Sequence, residues 1–109
     1  MVLDPFAVER RLLVALAEAQ GHRAFPSHDA AVFLDEVIHE RPHIAFVHGV
    51  FAETARRMAA LRDAPPIVLI DPYSPAVRGR VPTTYGEFPA LRFPIGLREV
   101  AQAIQTHAR

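Results

Sequence analysis

His43-Ile44-Ala45-Phe46-Val47-His48-Gly49 is a short apolar run bounded by polar residues, and its reading decides the fold. It reads as a buried central strand. In a parallel α/β sheet the carboxyl ends of such strands are where ligands and reactive side chains gather. Position 48 is therefore the most informative place in the chain, and it holds a histidine. A second run, Ile67-Val68-Leu69-Ile70, is too short for a helix and suits a strand covered on both faces. Asp71 ends it.

Outward from these runs, strands and helices alternate. Met1 to Asp4 reads as a short strand ending in a carboxylate, and the spacing of Val8, Leu12, Leu16 and Ala19, widened by Leu13, predicts a helix from Phe6 to Gln20. Gly21 stops it. His22 to Pro26 is expected as an edge strand, and Ser27 as the cap of a second helix buried through Ala30, Leu34, Val37 and Ile38 and closed by Pro42. Phe51, Ala55, Met58 and Ala59 mark a third helix before Ala64-Pro65-Pro66. From Asp71 to Pro94 the rhythm breaks, with prolines at 72, 75, 82, 89 and 94 and glycines at 79 and 86. A regular helix is not expected there beyond a turn around Pro75 to Arg80. Ala90-Leu91-Arg92-Phe93 is the last strand expected, and Leu97, Val100, Ala101 and Ile104 define a final amphipathic helix.

This alternation implies an α/β, flavodoxin-like, doubly wound five-stranded parallel sheet of order 2-1-3-4-5, with the fourth helix shortened or irregular. Residues 1–109 form one domain, long enough to bury a core without staples. Twelve basic residues balance twelve acidic ones, so the positive field that nucleic acid or an anionic membrane surface requires is missing. The absence of cysteine excludes disulfides and thiolate metal sites. With no run of membrane-spanning length and no signal pattern at the N-terminus, a cytoplasmic protein is expected.

The spacing of Val2-Leu3-Asp4, Arg10-Arg11-Leu12-Leu13, Gly21-His22, Arg41-Pro42-His43-Ile44, Pro66-Ile67-Val68-Leu69-Ile70 and Phe93-Pro94-Ile95 resembles the receiver domain of bacterial response regulators over essentially the whole chain. The resemblance implies phosphoryl transfer onto a carboxylate. In that chemistry two acids after the first strand hold magnesium, an aspartate after the third attacks phosphorus, and a hydroxyl and a lysine bind the transferred oxygens. Carried over residue by residue, the first acid is Asp4, but the second is Pro5, which cannot bind a metal. The nucleophile's place is His48, the hydroxyl's is Asp71 and the lysine's is Phe93. The pocket is degenerate. The resemblance thus implies a pseudo-receiver of two-component signalling that is not phosphorylated by the usual route, has no catalytic residue and needs no cofactor. Its expected role is that of a protein-interaction module in bacterial signalling, localisation or regulation. It is expected to be the N-terminal part of a larger protein with downstream domains.

His48 admits more than one role. As a structural residue it would lie between Asp4 and Asp71, where a charged imidazole would relieve the repulsion of two carboxylates, roughly 1–4 kcal/mol at about 4 Å. Its pKa would then be raised. In a second role Asp4, His48 and Asp71 hold a divalent metal, although no sequence motif supports one and no metal is expected; phosphohistidine chemistry finds nothing nearby to support it. The alternative to an interaction module is a flavodoxin-like domain sensing a ligand, metal or anion in the strand-end pocket around His48; a third reading is a divergent receiver that senses an anion or nucleotide, with Arg78 and Arg80 meeting phosphate. His22, His28, His39, His43 and His107 read as solvated. Tyr73, Tyr85 and Phe88 either cover the sheet or, with Arg98, Gln102 and Gln105, form the surface that meets a protein partner, since aromatic loops on a rigid scaffold are usual recognition surfaces.

Overall fold

Apolar runs between amphipathic segments pair side by side, and the first three return stretches cross over the sheet as helices. The computed structural model describes residues 1–71, 84–85 (backbone alone), 88–92 and 95–109. Its strands are β1 (Val2–Leu3), β2 (Pro26–Ser27), β3 (Ala45–His48), β4 (Ile67–Asp71), β5 (Thr84–Tyr85) and β6 (Phe88–Arg92). The helices are α1 (Ala7–Glu18), α2 (Ala30–Glu40), α3 (Ala52–Ala59) and α4 (Leu97–His107), with a 3-10 turn at Gly49–Phe51. The sheet runs β2-β1-β3-β4-β6-β5. Its first five members are mutually parallel, in the expected 2-1-3-4-5 order when counted along the chain. β5 is an addition, a two-residue strand pairing antiparallel with β6 at the edge. The expected fourth-helix irregularity, the turn at Pro75 to Arg80 and the calls on Tyr73, Arg78, Arg80, Phe93 and the Tyr85 side chain lie outside the described residues.

Strand alternation sorts the core into two layers. Val2, Ile44, Phe46, Val68 and Ile70 face Leu13, Val100, Ala103 and Ile104 of α1 and α4. Leu3, Ala45, Val47, Ile67 and Leu69 face Phe33, Val37, Ala55 and Met58 of α2 and α3. Both faces of the sheet are covered, which is why β3 and β4 read as unbroken apolar runs.

Several local expectations shift. β2 lies at Pro26–Ser27 rather than His22 to Pro26, although Phe25 already accepts a bond from the Val2 amide at 2.9 Å. Asp29, not Ser27, caps α2, accepting from the Ala31 amide at 2.9 Å, while Ser27 is spent in β2. The buried face of α1 is turned by about one residue: Leu13 and Ala17 are buried, whereas Val8 is 79% exposed and Leu12 38%. Ile38 and Leu97, expected in the core, are also exposed. Runs such as Leu12-Leu13 and Val37-Ile38 fit two overlapping stripes, and only the sheet decides which one is covered. β6 starts two residues earlier than expected because Phe88 enters the core of the α2–α3 layer. Gly21, at φ 83°, closes α1 in the left-handed conformation that a side chain would oppose. Arg41 takes the same conformation, φ 48°, after α2.

Candidate functional site

Asp4, His48 and Asp71 all stand at the carboxyl ends of adjacent strands, and all three are buried. They do not form one cluster. Asp4 follows β1 in phase with Val2, and His48 ends β3 in phase with Ile44 and Phe46, so both turn toward α1. Asp71 is in phase with Ile67 and Leu69 and turns toward the opposite layer. The arrangement with His48 between Asp4 and Asp71 is therefore replaced by another, in which the second acid comes from α1.

That acid is Glu9. One donor atom from each of Asp4, Glu9 and His48 lies within 4.8 Å of the others. His48 Nε2 stands 3.7 Å from Glu9 Oε2, and the Phe6 ring meets the imidazole edge-on at 5.3 Å between centroids. Local backbone geometry fixes each member. Asp4 Oδ1 accepts the Phe6 amide at 2.8 Å, bridging Pro5, so the Asp-Pro-Phe sequence makes its own turn into α1. Arg10 Nη1 donates to the Asp4 carbonyl at 2.8 Å, tying the first turn of α1 to the strand end. The same rotation of α1 that exposes Val8 brings Glu9 and Arg10 inward.

The imidazole is neutral, and its tautomer follows from one bond. Nδ1 accepts the Val50 amide at 3.1 Å, which it can do only without a proton, so the ring proton sits on Nε2. Burial pushes the His48 pKa below its ordinary 6.5, and the Asp4 charge offsets only part of this. The raised value expected for an imidazolium between two carboxylates is thus reversed, because burial outweighs the one nearby carboxylate. Burial first, and then the adjoining Asp4 carboxyl, push Glu9 up from 4.5 to about 7. The close approach of His48 and Glu9 is accordingly not an ion pair at neutral pH. Glu9, titrating at about 7, is about half protonated at neutral pH beside a neutral ring.

Asp71 is paired elsewhere through one oxygen. Its Oδ2 accepts Arg92 Nε at 3.1 Å, and the two residues are register partners across β4 and β6. This guanidinium provides the cation on the Asp71 side. Among the described residues, four buried atoms are left without a hydrogen-bond partner: Asp4 Oδ2, Glu9 Oε2, His48 Nε2 and Asp71 Oδ1. Three of them belong to the Asp4–Glu9–His48 cluster.

The magnesium site that the receiver resemblance implies does not fit these residues. Pro5 offers no ligand, and the β3 terminus presents an imidazole where a hard cation needs oxygen. Of the proposed partner surface, Phe88 is buried at 7% exposure and is a core residue, whereas Arg98 and Gln102 are exposed on α4. They border a groove of about 320 Å³ between α4 and β6 that Pro89, Ala90 and Leu91 also line. His22, His28, His39 and His43 are exposed and His107 is half-buried. No described helix is long and apolar enough to cross a membrane. Glu9 and Arg92 are the residues that the sequence does not single out. Strand parity would have separated Asp71 from His48, but the facing of α1 was set by packing. No family model matches the chain, and a search of curated proteins finds no match.

Proposed function

We propose that the chain is a non-enzymatic, receiver-like module that works by binding a protein partner without being phosphorylated, in the manner of a pseudo-receiver in bacterial two-component signalling. The observation that carries this reading is the His48 side chain at the end of β3. The position that would receive a phosphoryl group holds a buried neutral imidazole whose Nδ1 is bound to the Val50 amide. Its neighbours are spoken for as well, Asp4 Oδ1 by the Phe6 amide and Asp71 Oδ2 by Arg92. With an imidazole in place of a carboxylate at this position, receiver-type phosphoryl transfer has no acceptor here.

The partner surface in this reading is the exposed face of α4 beside β6, including Arg98 and Gln102. The balanced charge of the chain favours a protein over nucleic acid or an anionic membrane. The test uses acetyl phosphate with magnesium, followed by intact-mass measurement and partner cross-linking. The expected result is no phosphate adduct, and cross-links to a partner that weaken in the Arg98→Glu, Gln102→Glu double variant. A stoichiometric adduct would refute the phosphorylation-independent reading, and cross-links unaffected by the double variant would remove α4 as the surface.

A further inference from the structure

We propose that Asp4, Glu9 and His48 form a binding site for a divalent transition-metal cation of the zinc or cobalt type, with one oxygen from each carboxyl group and Nε2 of the imidazole as ligands. This site does not depend on the interaction-module reading. It rests on three buried atoms that have no hydrogen-bond partner among the described residues, Asp4 Oδ2, Glu9 Oε2 and His48 Nε2, and on the convergence of one donor atom from each of these side chains. Asp4 is 0% exposed and His48 3%, so neither group satisfies its open position in bulk water. Glu9, at 17% side-chain exposure, forms the rim through which an ion would reach the site.

The geometry suits a small tetrahedral ion. Ligands about 2.0–2.1 Å from zinc stand roughly 3.3–3.4 Å apart. The His48–Glu9 pair is already at 3.7 Å, and all three donors lie within 4.8 Å of one another. Glu9, on the first turn of α1 and partly exposed, is the member free to close the remaining gap. Two carboxylates match the charge of a dication, against which the Arg10 guanidinium on the Asp4 carbonyl works from outside the triad. The imidazole sets the metal class, since a nitrogen ligand in a three-donor site favours zinc, cobalt or copper over magnesium or calcium. The fourth position faces the Glu9 rim and is left to water.

Coordination at this site has a structural consequence. A metal on Nε2 displaces the proton there, and the neutral ring then carries its proton on Nδ1. Nδ1 can no longer accept from the Val50 amide, so two donors face each other at a 3.1 Å separation. The Gly49–Phe51 turn at the head of α3 must move. Any proton held by Glu9 is released as the metal binds.

The experiment is a titration of chelator-stripped protein with Co²⁺, read by visible absorption, and with Zn²⁺, read by calorimetry and amide NMR in excess Mg²⁺. Expected are saturable binding at one ion per chain, a large shift of the Val50 amide and conversion of the His48 ring ¹⁵N pattern to the Nδ1–H tautomer. Glu9→Gln and His48→Gln should each weaken binding by more than about tenfold, the loss that follows from disturbing even an outer-sphere partner. Absence of saturable binding overturns the proposal. So does binding that leaves the Val50 amide in place or that Glu9→Gln does not weaken, because the metal would then sit on exposed histidines such as His22 or His43. Should His48→Gln fail to fold, the wild-type Val50 signal and the rim variant Glu9→Gln decide the matter.

Discussion

Glu9→Gln isolates the electrostatics of the strand-end cluster. The glutamine keeps the size and hydrogen-bonding capacity of a protonated carboxyl but cannot ionise. In the folded chain Glu9 titrates at about 7, against 4.5 when unperturbed. The folded state therefore holds this proton more tightly than the unfolded state, and Glu9 lowers stability as pH rises from about 4.5 to about 7. Below that window the carboxyl is protonated in both states and contributes nothing. Above it the full penalty stands. At about 1.4 kcal/mol per unit the whole shift amounts to about 3 kcal/mol, and solvent reaching the rim screens this to about 1–2 kcal/mol. His48 acts with the opposite sign: its lowered pKa gives stability that is present above 6.5 and lost as pH falls below it. Because His48 is present in both proteins, the comparison cancels most of its effect. Urea unfolding with chelator present should show Glu9→Gln more stable than wild type by about 1–2 kcal/mol at pH 8, with the gap closing toward pH 4.5. A gap that is constant with pH, or a glutamine variant less stable at pH 8, would refute the raised Glu9 pKa.

Arg92→Ala leaves the Asp71 carboxylate buried without its guanidinium, and chemical denaturation should show a loss of about 1–3 kcal/mol. Phe33→Ala, at a fully buried position between α2 and the sheet, should cost about 3–5 kcal/mol by the same assay. Arg41→Gly relieves a left-handed residue at the end of α2 and should raise stability by about 0.5–1 kcal/mol in the same assay. His48→Asp places a third acid against Asp4 and Glu9. Its melting temperature should become magnesium-dependent, whereas that of the wild type should not move.

The architecture was legible because its two decisive runs are unambiguous. Ile67 to Ile70 and Ile44 to Val47 are too short and too apolar for anything but strands covered on both faces, and the helical stripes between them require parallel crossovers. What was not legible traces to positions where two patterns fit the same residues. In Leu12-Leu13 and in Val37-Ile38 either apolar neighbour could face the sheet, and the choice made by packing also decides that Glu9 points inward. The separation of Asp71 from His48 was implicit in the alternation of their strands. That Val50 would claim Nδ1 was not, because it depends on the tight 3-10 turn after β3. Phe88, in a proline-rich stretch that looked like loop, is drawn into the core by the pairing of β6 with β4.

The most direct measurement is an amide NMR titration with magnesium and then beryllofluoride, which mimics a phosphorylated carboxylate. With a neutral His48 at the β3 terminus and its Nδ1 held by Val50, the amides of Asp4, His48, Val50 and Asp71 should not move. Saturable shifts at those residues would contradict a phosphorylation-independent pocket.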